Sequence, residues 1–139
     1  MYKDKIDEKI IEFLKEDARE SFVDIGKKLK LSESAVRRRV KQLVDNGTIK
    51  KFTLDLGDEN TTSAIVLVSV DSATDTSKVS LKLAKLDGIK TVYEITGQYD
   101  ITTIISATNI AEINTSIDAL RKIPGVVDTN TVIILRKVI

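Results

Sequence analysis

The sequence predicts an α+β chain in two parts, a helical domain first and a mixed domain of strands and helices second. Three observations carry this. Apolar residues up to Ile49 recur at three- and four-residue spacing, the period of helices with one buried stripe. From Ala64 onward, β-branched runs alternate with helical stripes. The charge divides along the same line: residues 1–51 carry 14 basic and 10 acidic groups, and the rest carry 8 and 11, although the whole chain is only +1.

Composition narrows the class. A length of 139 residues allows one ordinary domain or two small ones and argues against a large enzyme fold. With 42% hydrophobic and 31% charged residues, the chain can bury a core and is not a disordered one. There is no Cys and no His, which removes disulfides, thiolate chemistry, the commonest general base and the commonest metal ligand. Neither a catalytic site, a metal nor a cofactor is expected. No apolar run approaches the roughly 18 residues of a membrane span, and Met1-Tyr2-Lys3-Asp4 does not open like a signal peptide, so a cytoplasmic protein is expected.

The elements follow in order. Ile6, Ile10, Phe13 and Leu14 make one stripe of a helix over 5–15, with Asp4 as its N-cap. Ser21 starts a short second helix that turns Phe22, Ile25 and Leu29 inward, with Gly26 permitting close helix approach. Ser32 caps a third, Glu33 favours its positive end, and Asn46-Gly47 stops it after Asp45. Three short helices of this length share a core when the last two cross steeply, which is a helix-turn-helix (winged-helix-like) domain over 1–49. An extended strand with mostly alternating apolar positions is predicted from Ile49 to Leu56. With the linker Gly57-Asp58-Glu59-Asn60 it makes a connecting region over 50–62. Over 63–139 the pattern gives a strand (64–70), a helix striped by Val79, Leu83 and Leu86, and strands at 89–96 and 99–107 joined through Gly97-Gln98. A helix capped by Asn109 with Ile110, Ile113, Ile117 and Leu120 on one face follows, and then a strand from Val126 to Val138. The order βαββαβ is ferredoxin-like, with two helices on one face of a four-stranded antiparallel sheet.

Function points to the third helix. Residues 27–51 hold nine basic side chains against Glu33 and Asp45, a concentration that suits a polyanion. At 100° per residue, Val36, Val40, Leu43 and Val44 share one face, while Ser34, Arg38, Lys41 and Gln42 fall opposite with Arg37 at their flank. These donors are of the kinds that reach guanine edges, adenine edges and phosphates in a major groove, so the helix reads as the recognition helix for double-stranded DNA. Arg39 lies nearer the core and is assigned to a phosphate or to an intramolecular carboxylate. Ser21 and Ser32 can contact phosphates at helix starts as well as cap them. Lys50 and Lys51 are candidates for the DNA backbone.

The residues also carry a resemblance. Ile6-Asp7-Glu8-Lys9-Ile10-Ile11, Asp17-Ala18-Arg19, Ile25-Gly26, Leu31-Ser32, Val36-Arg37-Arg38-Arg39-Val40 and Gly47-Thr48-Ile49 resemble the N-terminal half of the Lrp/AsnC transcriptional regulators. Thr96-Gly97-Gln98-Tyr99-Asp100 and Pro124-Gly125-Val126 through Thr129 and Thr131 resemble that family's second domain. Lys30 stands where the family usually has glycine, so a left-handed backbone there would cost about 1 kcal/mol. Ala18 likewise replaces a common glycine.

The resemblance implies a sequence-specific regulator whose assembly or DNA binding responds to a small effector, usually an amino acid. It implies homodimers that assemble further into tetramers or octamers. Gly97, Gln98, Tyr99 and Asp100 are the best local effector candidates: glycine permits close approach, amides can receive a carboxylate, and Asp100 can pair with an ammonium. Thr129 and Thr131 join them by resemblance. Independently, a βαββαβ sheet leaves one face bare, and strands apolar on both sides call for burial against another subunit. An architectural protein that coats DNA with weak sequence preference is the alternative, separated by specificity ratio rather than by fold. An RNA recognition module has the same topology but stacks bases on sheet aromatics, and the second half offers only Tyr93 and Tyr99.

Overall fold

The computed structural model describes residues 4–56 and 60–139. Met1, Tyr2 and Lys3, and Gly57, Asp58 and Glu59 of the expected linker, lie outside the described residues. The chain divides between Leu56 and Gly57 into two compact units.

The first unit is built from helices α1 (Lys5–Glu16), α2 (Phe22–Leu29) and α3 (Glu33–Asp45). Asp4 caps α1 by accepting from the amides of Ile6 and Asp7 at 2.9 and 2.8 Å. The expected stripes meet in a core of Ile10, Leu14, Ile25, Val36, Val40 and Leu43, with Phe13, Phe22, Leu29 and Ile49 packed against it. Between α2 and α3 the chain turns through Lys30, whose φ of 58° is left-handed and is the only positive φ of a non-glycine among the described residues. Directly under this turn lies Gly26. A Cβ there would come within 2.5 Å of the Leu31 carbonyl oxygen, so only glycine lets the turn close this tightly.

The strand expected over 49–56 does not form. Ile49 is drawn onto the helical core by a hydrogen bond from its amide to Leu43 O, at 2.8 Å. Residues 50–56 join no sheet, because a strand needs a ladder partner and the described residues of this unit supply none. Their apolar side chains are exposed, Phe52 at 53%, Leu54 at 77% and Leu56 at 58%.

The second unit runs β1 (Thr62–Val70), α4 (Thr76–Leu83), β2 (Ile89–Glu94), β3 (Ile101–Ala107), α5 (Ile110–Arg121) and β4 (Val126–Ile134). Its four-stranded sheet has the order β2-β3-β1-β4, every neighbouring pair antiparallel. The predicted βαββαβ fold is therefore the observed one, with shorter strands. β2 and β3 stop short of their turn because residues 95–100 leave the ladder for a loop closed by Ile95 N–H to Asp100 O at 2.9 Å. β4 ends at Ile134, which pairs with Ser63, the second residue of β1. At the other end of β4, Asp71 N–H donates to Gly125 O at 2.8 Å.

Strand register sorts the faces. Ala64, Val66 and Val68 of β1 align with Ile101, Thr103 and Ile105 of β3 and pack under Val79, Leu83, Ile113, Ile117 and Leu120 of the two helices. Ile110, expected on the same stripe, is 55% exposed, since the first residue of α5 lies past this core cluster. Thr103 is fully buried and is satisfied by donating to Thr91 O at 2.7 Å, where the β2 register shifts. The opposite face carries Ile65, Leu67, Ile104, Tyr93, Val132 and Ile134, and no helix of the unit packs there.

Candidate nucleic-acid interface and effector loop

α3 begins at Ser32, whose hydroxyl accepts from the Ala35 amide at 3.2 Å and lies 3.1 Å from the Ser34 hydroxyl. Val36, Val40 and Leu43 are buried, while Ser34, Arg37, Arg38, Lys41 and Gln42 are exposed, so the expected polar face is turned outward. Val44 departs from the inward stripe at 42% exposure, as it lies in the last turn of the helix.

The donors on this face are in different states. Arg37 donates to Glu33 one turn earlier and lies 5.4 Å over the Phe22 ring, which ties α3 to α2. Lys41 donates to Asp45 at 2.6 Å. The side chains of Arg38 and Gln42 make no hydrogen bond or ion pair among the described residues, and that of Ser34 makes only the contact with Ser32. Arg39 takes the intramolecular alternative: its guanidinium donates to Asp4 and Asp7 of the α1 start, each at 2.8 Å. The Asp4 bond, and then that of Asp7, raises the Arg39 pKa above its ordinary value. Asp4 is lowered from its own, first by the Asp7 amide and next by Arg39.

The flanking candidates divide similarly. Ser21 accepts from the Asp24 amide at 3.1 Å and donates to the Asp24 carboxylate at 2.8 Å, so its hydroxyl serves the cap of α2. Lys50 and Lys51 are exposed after α3, and Lys51 edges a cavity of about 410 Å³ floored by Ile11, Leu14 and Phe52. Lys27 and Lys30 are not among the DNA contacts the sequence names, yet the side chains of both stand exposed without partners among the described residues. The only sequence signal for them was the charge count of the segment.

In the second unit Gly97 and Gln98 are exposed at the loop tip, while Tyr99 and Asp100 are half-buried. Gly97 has φ 118°, which an L side chain rarely adopts, and a Cβ there would meet nothing within 4 Å. Asp100 anchors the loop to the end of β1: its amide donates to Val68 O at 2.9 Å, and its carboxylate accepts from the Val70 amide at 2.7 Å. Thr129 pairs with Val68 from the other side of β1, so it shares the loop's end of the sheet. It accepts from Arg121 Nε at 3.1 Å beside a cavity of about 360 Å³ lined also by Val127 and Asp128. Thr131 lies one pleat further in, with its hydroxyl buried and unpartnered. Arg121 is the residue the sequence did not offer, because nothing in its spacing shows that it will reach Thr129.

Among the described residues no cluster of acidic side chains could hold a metal ion, and no helix is long and apolar enough to cross a membrane.

Comparison with known proteins matches both units. Residues 4–44 fit the AsnC-type helix-turn-helix domain, and residues 63–139 fit the Lrp/AsnC ligand binding domain. The chain is 47% identical to the HTH-type transcriptional regulator LysM of Saccharolobus solfataricus, covering 96% of this chain and 94% of that one. It is 39% identical to the regulator FL11 of Pyrococcus horikoshii, over 96% and 89% of the two chains. Its fold superposes with a TM-score of 0.82 on the transcriptional regulator NMB0573 of Neisseria meningitidis in complex with L-Met, 25% identical, covering 99% of this chain and 92% of that one.

Proposed function

The chain belongs to the Lrp/AsnC family of transcriptional regulators, and from that footing we propose that it binds DNA sequence-specifically through α3 and that a small effector modulates this binding. One observation carries the DNA reading: α3 turns an exposed face bearing Ser34, Arg38, Lys41 and Gln42 outward from a buried Val36, Val40 and Leu43. Arg38 and Gln42 act on bases; Lys41, Lys50 and Lys51 act on phosphates, with Arg37 and the α3 start at Ser32 alongside. Arg39 acts chiefly within the domain, and Ser21 as a cap.

The effector is an amino acid in this reading, supported by the L-Met complex of the structural relative and by the loop at Gly97–Asp100, with Thr129 at the same sheet end. Assembly uses the uncovered sheet face and the exposed apolar residues 52–56, giving a homodimer able to build tetramers or octamers. A two-fold dimer sets its recognition helices on successive major grooves, so the operator is roughly palindromic. The protein acts in the cytoplasm, without a catalytic role.

Titration against the duplex upstream of its own gene and a scrambled duplex, at two salt concentrations, tests the reading. A preference of about 10³-fold or more is expected. Equal, salt-sensitive binding to both duplexes would instead assign the architectural coating role.

A further inference from the structure

The donors of α3 differ in what they must give up to meet a base. Arg37 would have to leave the Glu33 carboxylate and the Phe22 ring, and Arg39 would have to leave Asp4 and Asp7. Lys41 leaves Asp45 more easily, but an ammonium is a point charge that suits a phosphate and carries no fork to match a base edge. Ser34, Arg38 and Gln42 are exposed and have no such ties. They stand at four-residue intervals on one helix, so they form a single outward column that drifts by about 40° per step.

Chemistry assigns each position. The Arg38 guanidinium is planar and donor-only, which fits the two acceptors O6 and N7 of guanine. The Gln42 amide both donates and accepts, which fits N7 and the exocyclic amine of adenine. Four residues advance about 6 Å along a helix. Neighbouring base pairs are about 3.4 Å apart, so adjacent column positions on a helix lying along the groove fall about two base-pair steps apart. Resting on the DNA-binding reading above, we propose that each operator half-site contains a guanine read by Arg38 and an adenine read by Gln42, separated by about two base-pair steps. Ser34, which can donate or accept, tolerates several bases at the position beyond Arg38.

Selection of bound duplexes from a randomised library by the full chain, with and without a mixture of the common amino acids, tests this. The enriched half-sites should share the guanine and adenine at that spacing. Arg38→Ala should lose the guanine preference by about 10- to 100-fold and keep the adenine. Gln42→Ala should do the reverse, and Lys41→Ala should keep both. Should Arg38→Ala not fold by circular dichroism, Arg38→Met retains the length of the side chain without its donors and should lose the same guanine preference. An enriched site lacking the pair, or a guanine preference that survives at Arg38→Ala or Arg38→Met, overturns the assignment while leaving sequence-specific binding intact. A library that yields no enriched sequence under either condition overturns the assignment and the specific-binding reading together.

Discussion

Asp4 divides its carboxylate between two helices: Oδ1 caps α1 through the amides of Ile6 and Asp7, and Oδ2 accepts from Arg39 of α3 at 2.8 Å. The start of the first helix is thus tied to the middle of the third. Because native Asp4 lies below its ordinary pKa of 3.8, its charged form is the one the fold favours. This contribution to stability is complete above the unfolded value and is lost as pH falls through the lowered native one. Urea unfolding of the wild type and Asp4→Asn between pH 2.5 and 6 should show the wild type losing part of its advantage below about pH 4. A constant difference over that range would deny the linkage.

The turn between α2 and α3 makes opposite forecasts at neighbouring positions. Lys30 holds a left-handed backbone at φ 58°, so Lys30→Gly should stabilise the helical unit by about 1 kcal/mol. Gly26→Ala places a methyl 2.5 Å from the Leu31 carbonyl oxygen, a backbone atom with little room to yield, and should destabilise by roughly 1–3 kcal/mol. Thermal unfolding monitored at 222 nm decides both signs.

Lysines and the recognition column should separate in salt. Lys51→Ala should weaken all duplexes alike and reduce the slope of log K against log salt by about 1. Arg39→Ala should leave that slope nearly unchanged, because its guanidinium already faces Asp4 and Asp7, and should instead lower the melting temperature. A drop of a full phosphate in the Arg39→Ala slope would return that arginine to the DNA backbone.

The bare sheet face has its own test. Leu67→Asp or Val132→Lys places a charge where no helix of the unit packs, so each should spare the fold of the domain and dissociate the assembly in sedimentation velocity. Unaltered sedimentation of both variants would move the dimer contact elsewhere.

Periodicity and capping made much of this structure legible in advance. Ser21, Ser32 and Asn109 each cap the helix expected of them, and apart from Val44 and Ile110 the inward stripes of the helices are read directly from apolar spacing. Strand ends were less legible, since Tyr99 and Leu135 look like strand residues in the sequence, yet β3 begins at Ile101 and β4 ends at Ile134. The segment at Phe52–Leu56 joins no sheet among the described residues: alternation indicates the capacity to form a strand, whereas a strand requires a neighbour. Within the candidate interface the sequence set out the exposed face of α3. It could not rank the donors there, because the pairing of Arg37 with Phe22 and of Arg39 with Asp4 depends on how helices distant in sequence cross.

The end of β1 joins two connections that sequence keeps far apart. Val70 offers its amide to the Asp100 side chain in the loop after β2, and Asp71, the next residue, offers its amide to Gly125 in the turn after α5. Loosening either connection frees one of these adjacent hydrogens for exchange with solvent. Two consecutive peaks in an amide spectrum thereby become separate gauges of the loop and the turn, able to register an arriving small molecule at one end of the sheet without any label attached to it.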